Sequence, residues 1–226
     1  MAPALRASLL ALLVVPSIAA AQLTFDLRAG YALPFGDAYD LSGQGTFSQK
    51  EFVKGMVPVQ IGAAWRFTPE VSAGLYYSYG FGMKGSKLDD LCGTPGASCN
   101  EPVVQRFGAA FTYRLDAMAG IAPWCSLGAG MELAHFKVKD SAVLYPMGVP
   151  QADLEGSFRG WNANAALGAD YRIGRALALG PFVQLDLAQY TVQHVTLQGE
   201  TVAGGGIDSP KMHEWLTFGL KGTFDL

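Results

Sequence analysis

Along residues 22–35 apolar side chains stand at every second position: Leu23, Phe25, Leu27, Ala29, Tyr31, Leu33 and Phe35. Between them come Gln22, Thr24, Asp26, Arg28, Gly30, Ala32 and Pro34. A period of two sustained over this length marks an extended strand with one apolar face. Ordinary globular strands average about 5–6 residues, whereas a tilted strand that crosses a bilayer needs roughly 9–11. The length of this segment predicts the second kind.

The alternation returns at 57–67, 71–83, 106–115, 125–133, 161–172, 177–187 and 216–226, which makes eight strands in all. The connections alternate as well. Short turns are predicted near 68–70, 116–120 and 174–175, and long polar segments at 36–54, 84–101, 139–157 and 193–212. Short turns at one rim and long loops at the other are the order of an up-and-down antiparallel barrel. An even strand number places both chain ends at the short-turn rim.

Period two does not say which face points inward, because a soluble barrel also alternates. Three features favour an apolar face turned outward into lipid. The polar face is built from Gly, Ala, Ser and Asn rather than from the Lys and Glu of a wetted surface. Aromatic residues gather at both ends of the apolar face: Phe25, Trp65, Phe67, Tyr113, Tyr171 and Phe224 at the short-turn end, and Phe35, Tyr79, Phe81, Phe107 and Trp161 at the other. Two such girdles match two membrane interfaces. The closing strand runs to the last residue and carries Phe224 two positions before Leu226. The expected fold is all-β, an eight-stranded antiparallel up-and-down transmembrane β-barrel.

Composition agrees and closes other routes. Charged residues make up 15% of the chain, against an average near 25%, while aromatics reach 12% and Gly numbers 28. Disorder needs the opposite balance, and a coiled coil needs many more Ala, Glu, Lys and Leu. Lys plus Arg totals 16 against 19 acids, a net charge of −3, so no basic excess points to nucleic acid. The uncharged run 117–131 is interrupted by Gly120, Pro123, Gly128 and Gly130, which spoils it as a membrane helix.

The first residues read as an address. Met1 to Arg6 carries one positive charge, residues 7–15 (ASLLALLVV) are apolar, and Ala19-Ala20-Ala21 offers a cleavage site before Gln22. This is the layout of a secretory signal. The expected organisation is a signal peptide at 1–21 and a single barrel domain at 22–226.

The chain resembles the small eight-stranded outer-membrane β-barrel proteins, the group that contains the OmpA transmembrane domain and OmpX. The resemblance covers all of 22–226 and is carried by phrases such as Gly180-Pro181-Phe182-Val183 and the closing Gly219-Leu220-Lys221-Gly222-Thr223-Phe224-Asp225-Leu226. It implies a Gram-negative outer membrane, with long loops outside the cell. It also implies an assembly signal at Phe224 and Leu226 for the barrel-assembly machinery, although such signals commonly end in Phe. It does not imply one function, because members include anchors, adhesins, narrow pores and a few enzymes. No periplasmic domain is expected after the last strand.

The predicted lumen holds both signs of charge: Arg28, Arg66, Arg106, Arg114, Arg172 and Lys221 against Asp26, Glu132, Asp170, Asp186 and Asp225. Unpaired charge in so narrow a space is costly, so pairing is expected. The set reads as a salt-bridge network that closes the lumen, or else as an ion pathway. Eight strands leave an interior just wide enough for side chains, which favours the network. Asp26, Arg66, Arg114, Asp170, Arg172 and Asp225 are expected toward the short-turn rim.

Cys92 and Cys99 bracket a Pro95-Gly96 turn, and an exported chain makes them a disulfide. Cys125 is left over as a lipid-facing or rim residue. Gly80-Phe81-Gly82-Met83-Lys84-Gly85 matches G-x-G-x-x-G, but dinucleotide binding needs a helix directly after it, and a polar loop is expected there. His135, His194 and His213 fall at strand ends or loop rims without ligand spacing, so neither a metal nor a cofactor is expected. A barrel hydrolase would need a His beside an activated Ser, and the local H-x-S arrangement of barrel lipid A deacylases is missing. Gly204-Gly205-Gly206 predicts a flexible fourth loop. Phe47, Phe52, Leu88, Leu91, Leu144, Tyr145, Met147 and Val149 on the loops either mark a binding surface or pack the loops on one another.

The leading functional expectation is a non-enzymatic outer-membrane barrel with a packed, charged lumen. Its four long loops would be structural or would engage an extracellular or envelope protein partner. A small, low-conductance porin-like channel is the alternative. A lipid- or peptide-modifying enzyme ranks last.

Overall fold

A computed structural model describes residues 22–41, 45–93, 97–115, 120–141, 152–174 and 176–226. The leader expected at 1–21 lies outside the described residues, as do 116–119 and Arg175 from two of the short turns. Among the described residues the strands are β1 (Gln22–Leu41), β2 (Gly45–Ser48), β3 (Val53–Arg66), β4 (Val71–Lys84), β5 (Ser98–Cys99), β6 (Val103–Arg114), β7 (Ile121–Ser141), β8 (Ala152–Arg172), β9 (Leu177–Leu197), β10 (Glu200–Gly206) and β11 (Met212–Asp225). Eight of them form a closed antiparallel ring in the order β1, β3, β4, β6, β7, β8, β9, β11 and back to β1. Closure joins the first strand to the last, with Phe25 opposite Phe224 and Tyr31 opposite Phe218.

The two faces divide as the alternation predicts. Leu27, Phe35, Trp65, Phe81, Phe107, Trp161, Leu220 and Phe224 are exposed on the outside. Arg28, Arg106, Trp124, Glu132, Asp170, Phe182, Asp186 and Lys221 are buried inside. An apolar outer band around a polar interior is stable only with lipid around it. No helix among the described residues is long and apolar enough to cross a membrane.

The strands reach well past the boundaries read from the alternation. β7, β8 and β9 each hold 21 residues, about twice what a bilayer needs. Much of the segments 36–54, 139–157 and 193–212 is therefore paired strand rather than loop. The cause is burial. Inward-facing Ala38, Phe158 and Tyr190 form a cluster with Ala134, Phe136 and Ile207 packed against it, which keeps the backbone laddered beyond the aromatic girdle. The glycine triplet is also not a free loop. Gly204, Gly205 and Gly206 lie in β10, opposite His194, Gln193 and Val192 of β9.

The segment after the G-x-G-x-x-G match holds a helix, Ser86–Cys92, in place of the expected polar loop. It lasts two turns and caps the barrel mouth rather than opening a nucleotide fold. The three glycines serve close packing: a side chain would strike Met56 at Gly80, the Pro102 carbonyl at Gly82 and the Lys50–Glu51 backbone at Gly85. Gly85 donates its N–H to Phe52 O at 2.8 Å, joining this helix to the one-turn helix Gln49–Phe52. Leu88 is fully buried and Phe52 packs against buried Val53 and Val104, so these two loop residues cap the barrel. The side chains of Phe47 and Leu91, and all of Leu144, Tyr145, Met147 and Val149, lie outside the described residues. Cys92 and Cys99 form a disulfide that ties the helix to β5, and β5 pairs with β7. Cys125 is exposed on the outer face.

Candidate functional site

The lumen contains two side-chain clusters joined by one glutamine. Alternation explains their position: each member sits at an inward register of its strand, and eight strands bring opposite walls within side-chain reach.

The cluster nearer the long-loop end is centred on Glu132 of β7. Its Oε2 accepts from Arg106 Nε of β6 at 2.6 Å, and its Oε1 lies 2.8 Å from both the donating Tyr190 hydroxyl of β9 and His213 Nε2 of β11. Arg106 also reaches Asp186, Nη1 to Oδ2 at 3.4 Å, and lies over the Trp215 ring. Glu132, Asp186, His213 and Trp215 have no solvent exposure. Gln184 donates to both Asp186 oxygens at 3.0 and 3.1 Å and accepts from Arg28 Nη1 at 3.3 Å, which links this cluster to the next.

The second cluster is centred on Asp170 of β8. Its Oδ1 accepts from Trp124 Nε1 at 2.7 Å, and its Oδ2 accepts from Lys221 Nζ at 3.0 Å and lies 3.7 Å from Arg114 Nη2. The Lys221 ammonium sits 4.0 Å over the Trp124 ring, and Arg28 pairs with Asp26 at 3.1 Å. Arg66 and Asp225 pair at 2.6 Å by the short-turn rim, joining β3 to the last strand. Arg172, placed in the predicted set, is exposed at the end of β8 and makes no ion pair among the described residues. The other ten charged residues all do.

His213, Tyr190, Trp124, Trp215 and Gln184 are members that the charge pattern does not single out. Alternation counted from 216 leaves His213 on a loop rim. Extending it back to 212 turns His213 and Trp215 inward, and starting β7 at 121 does the same for Trp124. His135 and His194, by contrast, lie on the outer face near Glu155. Among the described residues no group of His, Cys, Asp and Glu is arranged to hold a metal.

Among the described residues five buried polar atoms lack a partner: Arg106 Nη2, Arg114 Nε, Asn162 Nδ2, His213 Nδ1 and Trp215 Nε1. Between the clusters lies a void of about 10 Å³ beside Arg28, Gln60, Ser78, Arg106, Gln184 and Thr217. That is the smallest space able to hold one water, roughly 10–15 Å³.

No protein-family model matches the chain, and no curated protein matches it. Solved structures do. A major outer membrane protein from Thermus thermophilus is 9% identical, with 92% of this chain and 100% of that one covered and a TM-score of 0.57. The outer membrane protein AlkL, solved in lipid bilayers, is 14% identical, with 91% of each chain covered and a TM-score of 0.50. At these identities the likeness is one of fold, and the fold is that of the small outer-membrane β-barrel proteins.

Proposed function

We propose that this chain is a non-enzymatic outer-membrane barrel with a plugged lumen, exported by the leader at 1–21. It is held in the bilayer by its apolar band and offers its long-loop end to partners outside the cell. The observation that carries this reading is the fully buried Glu132, bound at once by Arg106, Tyr190 and His213 from three other strands. A conducting path would have to break these contacts, and the void between the two clusters has room for about one water. The charges serve as structural cross-braces between walls. Phe224 and Leu226, exposed at the end of the closing strand, are read as the signal for the barrel-assembly machinery.

A narrow gated pore is the second reading, and one feature favours it. Arg106 is shared between Glu132 and Asp186, so it has two carboxylates between which to shift. Osmotic swelling of proteoliposomes separates the two. Vesicles carrying the refolded barrel stay unswollen in a small sugar such as arabinose if the lumen is plugged. Swelling above that of protein-free vesicles would overturn the plugged reading.

A further inference from the structure

We propose that the outer face of the β7–β8–β9 projection binds the phosphate monoester of an anionic lipid headgroup, through Arg159, Ser157, His135 and His194. This rests on the bilayer placement above, with the long-loop end in the outer leaflet. It does not depend on whether the lumen is plugged.

Register places these side chains together. At the girdle, Met131, Trp161 and Gln189 lie side by side on the three strands. One outward step further along come Leu133, Arg159 and Val192, then His135, Ser157 and His194, then Lys137, Glu155 and Thr196. Each step is two residues, about 6.6 Å along the strand. The headgroup zone is roughly 5–7 Å deep, so Arg159 falls at phosphate depth and Ser157 just beyond it.

A bulge makes the site. Gly160 pairs with Tyr190 but Arg159 pairs with Val192, so Thr191 is an extra residue on β9. Up to Tyr190 the even positions of β9 face the lumen. Beyond the bulge they face outward, which carries His194 to the same side as Ser157. The glycine triplet then keeps the place open: Gly204 and Gly206 of β10 stand opposite His194 and Val192 with no side chains to cover them.

The charge arrangement suits an anion. Glu155 is the one acid among the nine positions of the three steps above the girdle. It is engaged by Lys137 Nζ at 3.0 Å, with His135 Nε2 at 3.6 Å. Arg159 is exposed and makes no ion pair among the described residues. Its fork can hold two phosphate oxygens, with the Ser157 hydroxyl and the two flanking imidazoles as further donors. Trp161, one step below, supports the glycerol and upper acyl region. Neither imidazole hydrogen-bonds the Ser157 hydroxyl among the described residues, so the trio is a ligand cradle and not a serine with its base.

The test reads Trp161. In a Trp65→Phe background the other tryptophans, Trp124 and Trp215, are buried in the lumen, out of reach of lipid chains. The barrel is refolded into phosphatidylcholine vesicles containing either brominated phosphatidylcholine or brominated phosphatidic acid. Heat-shifted gel mobility checks the fold. Phosphatidic acid is expected to quench Trp161 at about a tenfold lower fraction, the scale of one charge-assisted contact. Arg159→Gln with His194→Gln is expected to bring the two curves together. Equal quenching by both lipids in the parent, or an unchanged preference in the variant, overturns the site. Excess inorganic phosphate is expected to compete and narrow the preference, and a preference that it leaves unchanged overturns recognition of the phosphate group. Failure of brominated phosphatidylcholine itself to quench overturns the bilayer placement, and the proposal with it.

Discussion

Glu132 and His213 meet in the middle of the lumen, Oε1 to Nε2 at 2.8 Å, with neither side chain reaching solvent. They come from β7 and β11, which are not neighbours in the ring, so the contact ties opposite regions of the wall. Removing the carboxylate would leave Arg106 with Asp186 alone and His213 with no partner on either nitrogen. Glu132→Ala should therefore cost about 3–5 kcal/mol, the penalty of an uncompensated buried charge. Urea unfolding of the refolded barrel measures it. Lys50→Ala, at an exposed position, should stay within about 0.5 kcal/mol.

Asp170 gives the same test for the second cluster. It accepts hydrogen bonds from Trp124 and Lys221 and forms an ion pair with Arg114. Asp170→Ala should also lose about 3–5 kcal/mol. Because Gln184 and Arg28 connect the clusters, the double variant with Glu132→Ala should depart from additivity. Strict additivity would mean that the clusters act separately.

Trp124 of β7 sits beside Gly168, its register partner on β8, where any side chain would strike the indole. Gly168→Val should cost about 1–3 kcal/mol by overpacking and weaken the Trp124–Asp170 hydrogen bond. Tryptophan emission that shifts together with the urea midpoint would report both effects.

The eight strands and their inward and outward faces were legible because a barrel wall repeats one simple pattern, and β1 shows it for seven apolar positions in succession. The charged lumen residues followed from that parity. What the pattern hid was where strands end. Ala38, Phe158 and Tyr190 hold the ladder together beyond the girdle through contacts between distant segments, and no local periodicity records such contacts. His213 escapes the pattern for that reason. The bulge at Thr191 reverses parity within β9, so alternation alone assigns His194 no face.

The cap should be separable from the barrel. Cys92 and Cys99 are seven residues apart, and their bond holds the Ser86–Cys92 helix against β5. Replacing both by Ser should release about 2–3 kcal/mol of chain restraint and speed hydrogen exchange at residues 86–93. The urea midpoint of the barrel should move little. A large fall in that midpoint would mean that the cap is part of the cooperative unit.

Glu155 stands outside the bilayer, and its hydrogen bond and charge pairing with Lys137 hold its carboxyl below the usual glutamate range. The pairing is therefore intact above the ordinary carboxyl pKa, near 4.3, and fades as pH falls through the depressed value. An NMR titration of the carboxyl carbon should show this, and Lys137→Met should raise the midpoint. No change in that variant would assign the depression to another group.

Single-channel recording of the refolded barrel in a planar bilayer tests the central claim most directly. With Glu132 bridged to Arg106, Tyr190 and His213 across the lumen, the protein should be electrically silent while gel mobility confirms that it is folded. Reproducible small conductance steps from the folded protein would contradict a plugged lumen and make the charged interior a path for ions.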